Sequence, residues 1–157
     1  MAQGGLFQLY WGEGPVITTA IHDGHAIRPE LEEFLALDEE TRLREEDPLT
    51  GLLTDVVATR IIGLRSRFEV DLNRPREKAV YLRPEDAWGL QVWSRELPAE
   101  MVGTSLALHD QFYALLRSVC EAKAKQYRSF AVLDLHSYNH RREGPEGCAA
   151  DPSENPE

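Results

Sequence analysis

Cysteine is nearly absent from this sequence: 157 residues carry two, Cys120 and Cys148. Two are too few for a disulfide framework or a thiolate zinc site, so a reducing cytoplasm is the expected setting. Positive charge is also scarce. Seventeen Lys and Arg stand against 27 Asp and Glu, a net charge of −10, and no Lys/Arg cluster offers the basic face that nucleic-acid phosphates require. No apolar run approaches the roughly 18–20 residues of a membrane-spanning helix. Residues 1–10 lack the basic and apolar regions of a secretory signal, and no internal repeat is visible. The remaining composition, 42% hydrophobic and 28% charged, is that of a soluble globular chain of one domain. It sets no oligomeric state.

The hydrophobic pattern switches between strand and helix periods. Residues 15–21 (PVITTAI) form a β-branched run of the kind found in strands buried on both faces. Pro29 predicts the start of a helix running through ELEEFLALDEE, with Leu31, Phe34 and Leu35 inward. Residues 41–50, charged and broken by Pro48, read as a loop, and residues 51–64 have apolar side chains at helical spacing. Phe68, Val70 and Leu72 alternate with Glu69 and Asp71, which predicts a second strand stopping at Asn73-Arg74-Pro75. Residues 75–104 read as loops with short elements. Residues 106–127 are the clearest helix, with Leu108, Phe112, Leu115, Leu116, Val119 and Cys120 on one stripe. Residues 130–135 form the third predicted strand. From residue 139 the aliphatics almost vanish, so a domain over 1–138 followed by a flexible Pro/Gly/Glu-rich segment over 139–157 is expected. Strands separated by helices predict an α/β domain with a largely parallel sheet.

In open α/β sheets, ligands bind beyond the carboxyl ends of the strands. The predicted strand ends here carry His22 and His25; Asp71, Asn73 and Arg74; and Asp134, His136 and Ser137. Two histidines from different strands meeting at one edge suit a zinc site, which takes neutral imidazole and carboxylate ligands and keeps a position open for water. Taken singly, each histidine also fits an ordinary hydrogen-bonding role. The spacing His22-x-x-His25 allows two imidazoles on one ion, with Asp23 as ligand or outer partner. Glu46-Asp47 is a further carboxylate source, or else a solvated acidic stretch. Arg67, Asn73 and Arg74 bring two guanidiniums and an amide toward one region, a set suited to a carboxylate and therefore to an acidic small molecule. The alternative is an internal salt bridge from Arg67 or Arg74 to Asp71 or Glu69. Tyr81, Trp88 and Trp93 either line such a pocket or pack the loops.

The stretch Ser66-Arg67-Phe68-Glu69-Val70-Asp71-Leu72-Asn73-Arg74-Pro75 resembles the most characteristic motif of the N-formylglutamate amidohydrolase (deformylase) family. Leu133-Asp134-Leu135-His136-Ser137 resembles that family's Asp-x-His-Ser motif, and Ile21-His22-Asp23-Gly24 its His-x-Gly segment, with Ile21 in place of the usual proline. The motifs occur in family order over residues 15–138, and a more distant similarity links them to zinc carboxypeptidases. The resemblance implies a three-layer α/β/α architecture with a mostly parallel or mixed central sheet. It further implies a hydrolase that uses zinc or another divalent metal on the N-formyl or N-acyl amide of a small acidic amino acid such as N-formylglutamate. His22 and His136 would be metal ligands. Asp47 is the closest match for the third, with Glu46 an alternative; His25 lies outside the family pattern. Arg67 would stabilise the developing oxyanion, and Asn73 and Arg74 would hold the substrate carboxylate.

The sequence also departs from the pattern. A similar chain would continue into an Asn-Leu-Gly-Thr-like segment and a late glutamate serving as general base, and neither has a counterpart before Glu157. The expectation is thus a C-terminally incomplete copy, with its last strands missing. An inactive or metal-binding fragment, and a carboxypeptidase-like hydrolase of different substrate, are the competing readings.

Overall fold

The structure, a computed structural model, describes residues 5–137 and 146–148; apart from those last three, the segment expected to be flexible lies outside the described residues. Among these residues, four strands form one mixed sheet: β1 (Phe7–Tyr10), β2 (Val16–Ala20), β3 (Thr59–Gly63) and β4 (Ala131–Asp134), in the order β1-β3-β2-β4. The central strand β2 runs parallel to both neighbours, pairing Ile17 with Thr59 on one side and with Val132 on the other. β1 is antiparallel on the outer edge of β3. β1 lies in a stretch for which the sequence predicted no strand.

The helices are α1 (Pro29–Glu32), α2 (Glu39–Glu45), α3 (Thr50–Leu53) and α4 (Ala99–Gln126). Ile17 of β2 and Ile61 of β3 share a core with Phe112 and Val119 of α4, so the long helix covers one face of the sheet. On the other face, Thr18 donates to the carbonyl of Thr54 just beyond α3 (3.1 Å), and Gly51 of α3 approaches Ile62 of β3. This is a layered α/β fold, as the sequence predicts. A second apolar cluster, built around Phe68, Tyr81 and Trp93, fills the space beside the first half of α4.

Four sequence-based elements are corrected. Residues 51–64 are not one helix: α3 and a short 3₁₀ turn (Thr54–Val56) give way to β3. The β-branched residues Thr59, Ile61 and Ile62 favour the sheet, and the apparent helical spacing simply runs across the break. Residues 68–72 are not a strand. Val70 N–H returns to the carbonyl of Ser66 (3.2 Å) in a helical-type turn, and Glu69 and Asp71 are as deeply buried as Phe68. Alternation of polar with apolar residues assumes that one face meets water, and here neither does. The helix predicted from Pro29 lasts one turn. Residues 34–36 then pair in an extended conformation with 92–94, and α2 forms where a loop was expected, capped by Asp38 accepting from Thr41 N–H (2.7 Å).

The buried Glu69 is anchored by Arg28, whose guanidinium donates to Glu69 Oε1 (2.7 Å) and Ser105 Oγ of α4 (2.8 Å). This pair ties the 66–72 turn to the helix layer, so both are positioned relative to the carboxyl ends of the parallel strands.

Gly24, two residues past His22, packs directly on the backbone between Leu64 and Arg65. A Cβ there would lie 2.2 Å from the carbonyl carbon of Leu64 and 2.5 Å from Arg65 N. Backbone cannot yield as a flexible side chain can, so Gly24→Ala is predicted to lose about 2–3 kcal/mol of stability. Urea denaturation measures this, and a variant as stable as the wild type contradicts the close packing.

Candidate metal centre and acidic-ligand pocket

β2 and β4 run side by side in the same direction, so the residues that follow them emerge at one sheet edge. His22 lies two residues past β2 and His136 two past β4; Leu135 N–H extends the pairing to Thr19 O (2.8 Å). Asp47 reaches the same point from the α2–α3 loop. Its N–H donates to His22 O (3.0 Å), and its own carbonyl accepts from Thr50 Oγ1 (2.7 Å). One donor atom each from His22, Asp47 and His136 lies within 4.8 Å of the others. The two imidazole rings stand 5.1 Å apart at 60°.

Each histidine is oriented from behind by a second carboxylate. His22 Nε2 lies 2.8 Å from Asp71 Oδ1, which makes it the donor and leaves Nδ1 as an acceptor facing Asp47 Oδ2 at 3.4 Å. That Nδ1 is buried and has no hydrogen-bond partner among the described residues. His136 has Nε2 at 2.9 Å from Asp134 Oδ2 and Nδ1 at 2.8 Å from Asp47 Oδ2. Asp134 is itself held by Thr19 Oγ1, and Asp47 Oδ1 accepts from Ser137 Oγ (3.0 Å). An orphaned imidazole nitrogen, a second imidazole and a carboxylate on one point fit a divalent cation. Tetrahedral ligands at zinc's bond lengths lie roughly 3.3–3.5 Å from one another, close to the His22–Asp47 spacing. Carboxylates behind both rings are the usual outer partners of ligating histidines.

The protonation of these groups follows from their contacts. Burial alone would raise the Asp47 carboxyl, but the hydrogen bond from His136, the neighbouring His22 ring and the Ser137 hydroxyl together outweigh it and hold it well below the usual range. Asp71 is likewise driven down, against its burial, by His22 and the Arg67 guanidinium. Asp134 and then Asp47 push the His136 proton affinity up to about 9.

Glu46, the alternative third carboxylate, points elsewhere: it is buried between His25 Nδ1 and Ser66 Oγ, with Arg42 at 3.6 Å. His25 is thereby paired with Glu46 outside the triad. Asp23 accepts from Gly51 N–H (2.9 Å) and serves α3.

The arginines lie behind His22. Arg67 donates from Nη2 to Asp71 Oδ2 (3.0 Å), from Nη1 to Glu45 O (3.1 Å) and from Nε to Tyr81 Oη (3.3 Å). Arg74 Nε is 3.5 Å from Asp71 Oδ2. The internal salt bridge weighed from sequence therefore exists, and Asp71 is its hub, also accepting from Tyr81 Oη and from Asn73 N–H (2.9 Å). Burial and then the charge of Asp71 push the Tyr81 phenol far up, so it stays a donor. Asn73 is exposed. Trp88 covers both guanidiniums, while Trp93 is buried and donates to Tyr81 O (2.7 Å). Asp71 and Asp134 as histidine-orienting groups were not recognised from sequence; a carboxylate two residues before His136 was the available signal for the latter.

Without a cation, the raised proton affinity of His136 contributes stability that is complete below the ordinary value of 6.5 and is lost as pH rises through about 9. The depressed Asp47 and Asp71 contribute stability that is complete above the ordinary 3.8 and is lost on acidification. The metal-free protein is thus predicted to melt highest between about pH 5 and 6.5, and Asp134→Asn to move the alkaline loss to lower pH. Thermal unfolding in a chelator reads both; a melting temperature unchanged from about pH 6 to 9.5 contradicts the coupling.

The family model described as N-formylglutamate amidohydrolase matches residues 14–155. Among solved structures, the N-formylglutamate amidohydrolase from Ralstonia eutropha JMP134 superposes with a TM-score of 0.70 at 17% sequence identity, over 85% of this chain and 57% of that one. The likeness shows the fold, and this chain spans little more than half the length of that relative. No curated protein matches the chain. With motifs in order at one sheet edge and a family match over nearly the whole sequence, the chain belongs to the N-formylglutamate amidohydrolase family.

Proposed function

We propose that this chain is a divalent-metal amidohydrolase that cleaves the N-formyl amide of an acidic amino acid, N-formylglutamate being the reference substrate: N-formylglutamate and water give glutamate and formate. The observation that carries this reading is the unpartnered, buried Nδ1 of His22 facing Asp47 and His136, beside two guanidiniums.

His22, Asp47 and His136 would hold the cation, with zinc favoured by the two-imidazole, one-carboxylate donor set. A cation there would supply Lewis-acid activation of water and of the formyl carbonyl. Asp71 and Asp134 keep the two imidazoles in the tautomer and orientation needed for binding. Arg67, held rigid on three sides, would donate to the carbonyl oxygen as negative charge develops, an effect of about 3–4 kcal/mol for one such donor. Arg74 and Asn73 would receive the substrate carboxylate and so convert remote binding into orientation of the amide. The free thiols of Cys120 and Cys148 accord with work in the cytoplasm. No helix among the described residues is long and apolar enough to cross a membrane.

Calorimetry with zinc tests the site. One zinc per chain is expected, and Asp47→Ala or His22→Ala should weaken it by more than the 10–100-fold that loss of an outer partner causes. Because His136 carries a proton at neutral pH, binding should release it, and the measured heat should depend on the buffer's ionisation enthalpy. Zinc affinity untouched by both variants removes the centre.

Turnover tests the substrate. Arg74→Ala is expected to raise KM for N-formylglutamate at least about tenfold (~1.4 kcal/mol) while leaving zinc affinity intact. Zinc binding without turnover of any N-formyl amino acid would favour the inactive, metal-binding reading; turnover confined to peptides would favour the carboxypeptidase-like one.

A further inference from the structure

Arg67 and Arg74 carry two positive charges toward a single carboxylate, Asp71, at 3.0 and 3.5 Å. That carboxylate is already shared with His22 Nε2, Tyr81 Oη and the N–H of Asn73. The pair therefore retains an excess of about one positive charge. A second carboxylate beside them would neutralise it and occupy the donors a ligand needs. Among the described residues, what stands there instead is an indole. The Cζ of Arg67 lies 4.8 Å from the Trp88 ring centroid and that of Arg74 5.7 Å, with Arg74 also 4.8 Å from Tyr81, against which Trp88 packs edge-on. An aromatic face attracts a guanidinium through its quadrupole while leaving the in-plane N–H donors free.

Trp88 is held there against its own backbone preference. It adopts φ +53° in the left-handed region, followed by Gly89 at φ +90°, and Trp88 is 43% exposed. A bulky aromatic at such an angle is strained, and strain of this kind gathers where a site needs a residue in one place. Arg67 has each nitrogen engaged at least once, whereas among the described residues Arg74 has only its Nε directed at Asp71, which leaves Arg74 as the more open fork.

We propose that Trp88 is a specificity-determining positioning residue: it stacks on the two guanidiniums without neutralising them and thereby sets the preference for a carboxylate over a neutral amide at the end of the ligand's side chain. The role rests on the proposed carboxylate-binding reading of Arg74, beside which Arg67 adds a second positive charge, and names the residue that keeps that fork available.

The test uses the zinc-loaded full chain, with L-glutamate and L-glutamine as paired probes in calorimetry. Trp88→Gly accepts the left-handed backbone without strain, so any loss of binding there belongs to the missing ring. The wild type should prefer glutamate. Trp88→Gly should lose at least about tenfold in glutamate affinity with little change for glutamine, and Trp88→Phe should recover most of the loss. Zinc affinity and a single cooperative melting transition should persist in both variants. A Trp88→Gly protein that keeps the wild-type ratio of glutamate to glutamine affinity overturns the role, as does a Trp88→Phe variant no better than glycine. A wild type that binds zinc yet shows no preference for glutamate overturns the reading that Arg74 receives the side-chain carboxylate, and this role with it.

Discussion

The contact between Asp71 Oδ1 and His22 Nε2 organises the whole site. By accepting the Nε2–H hydrogen bond it fixes the tautomer of a buried ring and turns the lone pair of Nδ1 toward Asp47 and His136. The same carboxylate draws Arg67 and Arg74 to the back of that ring and accepts the Tyr81 hydroxyl. Metal-facing and ligand-facing groups thus share one anion. A buried charge of this kind is costly unless its lone pairs are all used, and here its partners come from four sequence regions: residue 22, residue 67, residues 73–74 and residue 81.

The fold makes the convergence cheap. Two parallel strands, β2 and β4, deliver His22 and His136 to one edge although the residues are far apart in sequence, and β3 on the other side of β2 leads into the arginine-bearing turn. The loop ending α2 needs only to bring one carboxylate across, which it does through the Asp47–His22 backbone bond. Asp134 and Thr19 then support His136 from within the sheet itself.

How much of this was legible in the sequence depended on the range of the contact. The motifs around His22, Arg67–Arg74 and His136 were visible because each is contiguous, and β2, β4 and most of α4 followed from composition and period. The choice among Glu46, Asp47 and His25 was not. Adjacent residues 46 and 47 face opposite partners, and only the direction in which the loop turns decides which carboxylate meets the histidines. The misread strand at 68–72 has the same origin: Glu69 and Asp71 looked solvent-facing because their partners, Arg28 and His22, lie more than 40 residues away. The two readings of the arginines, salt bridge or ligand pocket, turn out to be compatible, since one carboxylate does not saturate two guanidiniums.

The tautomer of His22 is the most direct test of this account. Long-range proton–nitrogen NMR spectra of the metal-free protein should show the His22 proton on Nε2, with Nδ1 bare. Adding zinc should then shift the Nδ1 resonance while Nε2 keeps its proton. A proton found on Nδ1, or an Nδ1 signal indifferent to zinc, would contradict the claim that Asp71 prepares this ring to hold a cation.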